Sequence, residues 1–161
     1  MIDTTKVEER RSLRFDSIED CLAEVQKIAD ADRNGSLVTR GNWTAGQNLS
    51  HLAAWIEYGW EGYPLDELPL PIRTGMRSML PEILDKGMEP GMQIPDIPGG
   101  TVGADEMETK EAIERFSAAL NRLNSDEPSK HDSPAFGKMS HAERVQLNLR
   151  HSELHLSFLS Y

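Results

Sequence analysis

The chain has 161 residues, 38% of them hydrophobic and 27% charged, which suits one globular domain with a real core. Its formal net charge of -10 argues against a nucleic-acid surface, which needs a basic face, and against an anionic membrane. A single cysteine, Cys21, excludes an internal disulfide and a multi-cysteine metal cluster, and no apolar run approaches the ~20 residues that span a bilayer.

Residues 1–14 are charged and non-periodic and read as a flexible or loosely packed lead-in; they hold no signal-peptide core, so the expected location is cytoplasmic. Asp16 or Ser17 caps a first helix whose apolar positions, Ile18, Leu22, Val25, Ile28 and Ala29, recur at helical spacing. Asn34-Gly35 ends it. Cys21 falls in this pattern as a half-buried small hydrophobe. A second helix starts at Thr44, where Thr44 and Gln47 form a capping-box pair, and carries Leu49, Leu52, Ala53 and Ile56. His51, Trp55 and Tyr58 lie on an adjoining stripe.

Residues 64–104 hold seven of the nine prolines. Ile72–Lys86 has helical character, with Pro81 as the expected kink or break. Pro90–Gly100 cannot be regular helix and reads as an ordered crossover loop. A third long helix is expected over 105–124, on Ala112, Ile113, Phe116, Ala119, Leu120 and Leu123. After a polar link, Ser140 and Glu143 give another capping box, and a fourth main helix runs to about Ser160. No strand pattern is evident. Four main helices with one long connection read as an all-α bundle.

Three of the five histidines carry the chemistry. His151 and His155, four apart, share one face of the last helix, and His51 sits on another helix. Neutral imidazole suits zinc, nickel, copper or iron. A closed structural site uses four protein ligands, whereas three leave room for water or substrate. The competing reading is three core-edge histidines without metal. The order His-Ser-Glu-Leu-His, residues 151–155, is not the metalloprotease motif, because its glutamate is not adjacent to the first histidine. His131 reads as a solvated or turn-bonding side chain, with support of the metal ligands from behind as the alternative, and His141 reads as exposed. Trp43, Trp55, Trp60, Tyr58 and Tyr63 form either boundary packing or an aromatic wall beside a pocket. Asn48 is placed to hydrogen-bond a ligand histidine or water, or is solvated. Arg150 reads as a surface residue, with a pocket rim as the alternative.

The segments NWTAGQNLSHLAAWIEY (Asn42–Tyr58) and SPAFGKMSHAERVQLNLRHSELHLSFL (Ser133–Leu159) resemble the DinB/YfiT-like superfamily, most closely its DUF1569 branch. The resemblance covers nearly the whole chain. It implies a single domain over 1–161, an up-down-down-up four-helix bundle with a long crossover between its second and third helices. It also implies a metal site at His51, His151 and His155 for a divalent ion, typically nickel or zinc. Characterised relatives include transferases that use a low-molecular-weight thiol, some hydrolases and isomerases, and many form homodimers. One departure stands before the fourth main helix, where relatives often read His-Pro-x-Phe-Gly and this chain has Ser133-Pro134-Ala135-Phe136-Gly137. The functional expectation is a divalent-metal-dependent enzyme acting on a small molecule, with transfer to a thiol the reaction the resemblance favours. A metal-dependent hydrolase and a non-catalytic metal-binding, small-molecule-binding or structural bundle remain open beside it. No residue stands out as a general base.

Overall fold

In the computed structural model, which describes residues 1–161, five helices dominate the chain: α1 (Ile18–Asn34), α2 (Ala45–Glu61), α3 (Leu70–Lys86), α4 (Thr109–Leu123) and α5 (His141–Leu156). Three begin at reciprocal capping boxes that satisfy first-turn N–H groups: Ser17 with Asp20, Thr44 with Gln47, and Ser140 with Glu143. The latter two are the pairs expected from the sequence. Gly35 ends α1 in the left-handed region, at φ 77°, where glycine alone carries no side-chain penalty.

The core lies between α1, α2, α4 and α5. Val25 and Ile28 of α1, Leu49 and Leu52 of α2, Phe116 and Leu120 of α4, and Leu149 and Leu156 of α5 belong to one buried cluster. The most extensive helix pairing is α2 on α4, and α3 packs on α5 through a buried set of Leu80, Ile83 and Leu84. The chain is thus mostly helical with a bundle core. No helix is long and apolar enough to cross a membrane.

Three expectations from the sequence are corrected. Pro81 lies inside α3 and does not break it. It removes one backbone donor, but the buried residues on both sides of it keep that half of the helix seated on α5. The last helix stops at Leu156, short of Ser160, and Leu159–Ser160 pairs antiparallel with Val38–Thr39 as a two-residue sheet (β1, Val38–Thr39; β2, Leu159–Ser160). A pair this short leaves no period-two signal to read. The helix expected from 105 begins at Thr109; the preceding residues lie against α2, where the Ser50 hydroxyl donates to the Asp105 carbonyl at 2.8 Å.

The first fifteen residues are held at several points. Ile2 and Asn42 exchange two hydrogen bonds, at 2.8 and 2.9 Å. Arg11 pairs with Glu24 at 2.6 Å, and its guanidinium donates to the carbonyls of Leu156 and Leu159. Phe15 is clamped through its backbone: its N–H donates to Glu153 Oε1 at 2.7 Å, and its carbonyl accepts from Arg150 Nη2 at 2.7 Å. Arg150 is therefore a buried bracket, 3% exposed on its side chain and paired with Glu153 at 2.9 Å, not a surface or rim residue.

Candidate metal centre

His51 points from the middle of α2 and His151 and His155 from the last two turns of α5, and the two helices bring the three rings together. Each offers a ligand atom, and these atoms all lie within 4.8 Å of one another. His51 Nε2 and His151 Nε2 are 3.2 Å apart. With metal–nitrogen bonds of about 2.0–2.1 Å, two imidazoles on one ion sit about 3 Å apart at a right angle and about 3.4 Å at the tetrahedral angle. The observed separation falls in that interval. It also suits a hydrogen bond from His151 Nε2, so the two nitrogens share either a proton or an ion.

The orientation of the rings favours lone pairs turned inward. His51 Nδ1 lies 2.9 Å from the Val102 carbonyl, which can only accept, so Nδ1 carries the proton and Nε2 is free to ligate. His155 Nδ1 faces Asn48 Oδ1 at 3.4 Å, a long contact. The Asn48 amide is fixed by its own donation to the Thr44 carbonyl at 3.0 Å, which leaves the oxygen toward His155. An acceptor behind the remote ring nitrogen is the arrangement that orients metal-ligating histidines. Asn48, one of two readings from the sequence, is thus buried beside the cluster.

Electrostatics keep the rings neutral. Burial lowers the His51 pKa to about 4. Burial, then the neighbouring histidines, pushes His151 and His155 well below the ordinary histidine value. A neutral imidazole is the ligating form. No carboxylate belongs to the cluster. Glu153, the acid between the two α5 histidines, is turned away and held by Phe15 and Arg150.

Aromatic rings enclose the histidines. Trp43 stacks on His155 with centroids 5.3 Å apart and planes 7° from parallel, and it tilts against His51 at 5.0 Å. Trp55 stands edge-on to both His51 and His151 at 6.0 Å, then to Tyr58 at 5.8 Å and Tyr63 at 6.1 Å. His131 is exposed and outside the cluster; its backbone N–H donates to the Gly59 carbonyl. In the departing link, Ser133 Oγ accepts from the N–H groups of Ala135 and Phe136 and closes a turn. Tyr161 does not approach the histidines: its hydroxyl meets Glu24, and Arg11 lies over its ring.

Two contributors escaped the sequence. One is the Val102 carbonyl, at the end of the proline-rich connection and 51 residues from His51. The other is Gly46, where a Cβ would lie 1.8 Å from the Met107 carbonyl oxygen, so the missing side chain lets that connection lie against α2. A glycine in a helix beside a capping box is the one available signal.

Fold and site together define a helical-bundle protein with a tri-histidine cluster able to hold a metal ion. The chain belongs to the DUF1569 family, described as protein of unknown function, whose model matches residues 7–161. Comparison with curated proteins and with solved structures gives no match.

Proposed function

We propose that this chain is a DinB-like metalloprotein, a single up-down-down-up bundle over 1–161, in which His51, His151 and His155 hold one divalent ion for reaction on a small molecule. The observation that carries the reading is the cluster itself: His51 Nδ1 is held by the Val102 carbonyl, His155 Nδ1 faces Asn48 Oδ1, and one nitrogen from each of the three rings lies within 4.8 Å of the others. Three neutral ligands and no carboxylate leave the ion's double charge uncompensated, which favours an anionic exogenous ligand. A divalent ion bound here would lower the pKa of a coordinated water or thiol toward neutrality. The residues of the chain orient the ligands, and Trp43 and Trp55 wall the space beside them.

Among reactions, transfer to a low-molecular-weight thiol is preferred to hydrolysis on the superfamily resemblance. The acid between the α5 histidines, Glu153, is committed to Phe15 and Arg150 and is held away from a general-base role. The thiol itself rests on the superfamily resemblance, as do the homodimer, the cytoplasmic location and the choice of nickel or zinc. Untagged protein loaded with nickel or zinc is the test: one ion per chain, lost in His51→Ala, His151→Ala and His155→Ala, is expected. Intact folding without stoichiometric metal under several reconstitution conditions refutes the reading. Turnover in a screen of thiols with electrophiles separates an enzyme from a binder.

A further inference from the structure

Beyond Trp55, two buried polar groups are left incompletely satisfied by the fold. The first is the Trp55 indole N–H, which is buried and has no acceptor although its ring stands against both His51 and His151. The second is Arg144, two turns before His151 on the same face of α5. Arg144 is 4% exposed, yet it makes no salt bridge; its Nη1 donates to Tyr63 Oη at 3.3 Å, its Nη2 to the His131 carbonyl at 3.1 Å, and its Nε has no partner. A guanidinium buried without a counter-charge is costly. Tyr63 accepts from this cation, and its own phenolic proton enters no hydrogen bond within the protein. Histidines, Trp55, Tyr63 and Arg144 thus follow one another in a row, with ring separations of 6.0 and 6.1 Å.

We infer that this row is an anion-recognition flank: the small molecule bound beside the histidines carries a carboxylate or a like oxyanion, which accepts hydrogen bonds from Trp55 Nε1 and from the Tyr63 hydroxyl polarised by Arg144. The inference deepens the proposed metal site by naming its ligand class, and rests on that reading for the location of the reacting group. It assigns Arg144 a positioning role through Tyr63, and gives the unpaired charge a partner that arrives with the ligand. The aromatic faces of Trp55, Tyr58 and Tyr63 favour a ligand with a flat apolar body behind its anionic group.

Benzoate and its neutral isostere benzamide are suitable probes, titrated by calorimetry and tryptophan fluorescence into metal-free and zinc-loaded protein. Benzoate is expected to bind saturably and at least tenfold more tightly than benzamide. Trp55→Phe and Tyr63→Phe, which delete one donor each and keep the ring, are expected to reduce benzoate affinity about tenfold or more. Benzamide, whose carbonyl is a weaker acceptor, should lose less affinity than benzoate in both variants, and zinc stoichiometry should stay unchanged; Tyr63→Phe should also lower the melting temperature, because Arg144 Nη1 loses its acceptor. Equal binding of the two probes, no binding, or unchanged benzoate affinity in both variants overturns the inference and leaves Arg144 as a brace for the 128–137 link. Failure of zinc to bind sinks the metal reading separately. The benzoate preference would then be judged on the metal-free protein, because both donors belong to the chain.

Discussion

The Val102 carbonyl sits 2.9 Å from His51 Nδ1 and fixes which nitrogen of that histidine faces the other two. A residue at the far end of the proline-rich connection thus sets the state of a side chain on α2. The contact depends on how closely the connection approaches the helix, and Gly46 sets that approach at Met107. Gly46→Ala would force the Met107 carbonyl outward, because the two positions cannot both be occupied. Overpacking of this kind costs on the order of 1–3 kcal/mol. The loss of His51 orientation should weaken zinc or nickel binding by roughly ten- to a hundredfold. Thermal unfolding and metal titration of the same variant measure the two effects. Unchanged metal affinity in a destabilised variant would separate Gly46 from the site.

The histidines give the metal-free protein a pH dependence with a defined sign. Their pKa values in the folded state lie below the unfolded value, with His51 lowered to about 4 from 6.5 by burial. Between those two values the unfolded chain binds more protons than the folded one, so stability rises with pH. The contribution is fully present above pH 6.5 and lost as pH falls toward 4. For His51 alone it amounts to about 3 kcal/mol. Denaturant midpoints of metal-free protein should therefore fall across pH 6.5 to 4. Removing His51 as His51→Gln should flatten that part of the curve; a slope as steep as in the native chain would rule out His51 as its source.

Cys21 is fully buried among the α1 core residues, and burial pushes its thiol up to about 12. Both facts suppress thiolate chemistry. A thiol reagent at neutral pH should leave the native protein unlabelled over hours and react on unfolding, so the labelling rate should track denaturant concentration. Rapid labelling of native protein would show that α1 opens locally.

Much of this arrangement was legible in the sequence because it is local. The Thr44–Gln47 and Ser140–Glu143 boxes encode two helix starts within four residues each, and the 151–155 spacing puts two histidines on one face. His51 stands beside them as a candidate on another helix, and the resemblance assigns it to the same site, since no periodicity in one helix tells which residue of another it will meet. The illegible parts are long-range. Arg150 looked like a surface residue because an arginine next to a histidine on a helix says nothing about Phe15, 135 residues away, whose carbonyl it binds. The two-residue sheet and the extended approach of 102–107 depend likewise on chain segments meeting in space. Pro81, expected to kink or break its helix, does not break it: burial against α5 overrides a local rule for helix breaking.

The Arg150–Glu153 bracket yields the sharpest stability prediction. Both side chains are under a tenth exposed, and together they satisfy the N–H and the carbonyl of Phe15. Glu153→Ala would strip Phe15 N–H of its acceptor and leave the Arg150 charge buried beside Arg14, with Arg14 no longer near a carboxylate at 3.9 Å. Breaking a buried pair on one side costs about 3–5 kcal/mol. Arg150→Met in turn leaves the Glu153 carboxylate with only the Phe15 N–H and the more distant Arg14, and leaves the Phe15 carbonyl without its donor. The double variant Arg150→Met with Glu153→Ala should therefore lose less stability than the sum of the single losses, a coupling that a double-mutant cycle reads directly. Metal affinity should stay near native in all three, since Glu153 is turned from the histidines. Additive losses would mean that each side chain acts alone and that Phe15 is held by packing.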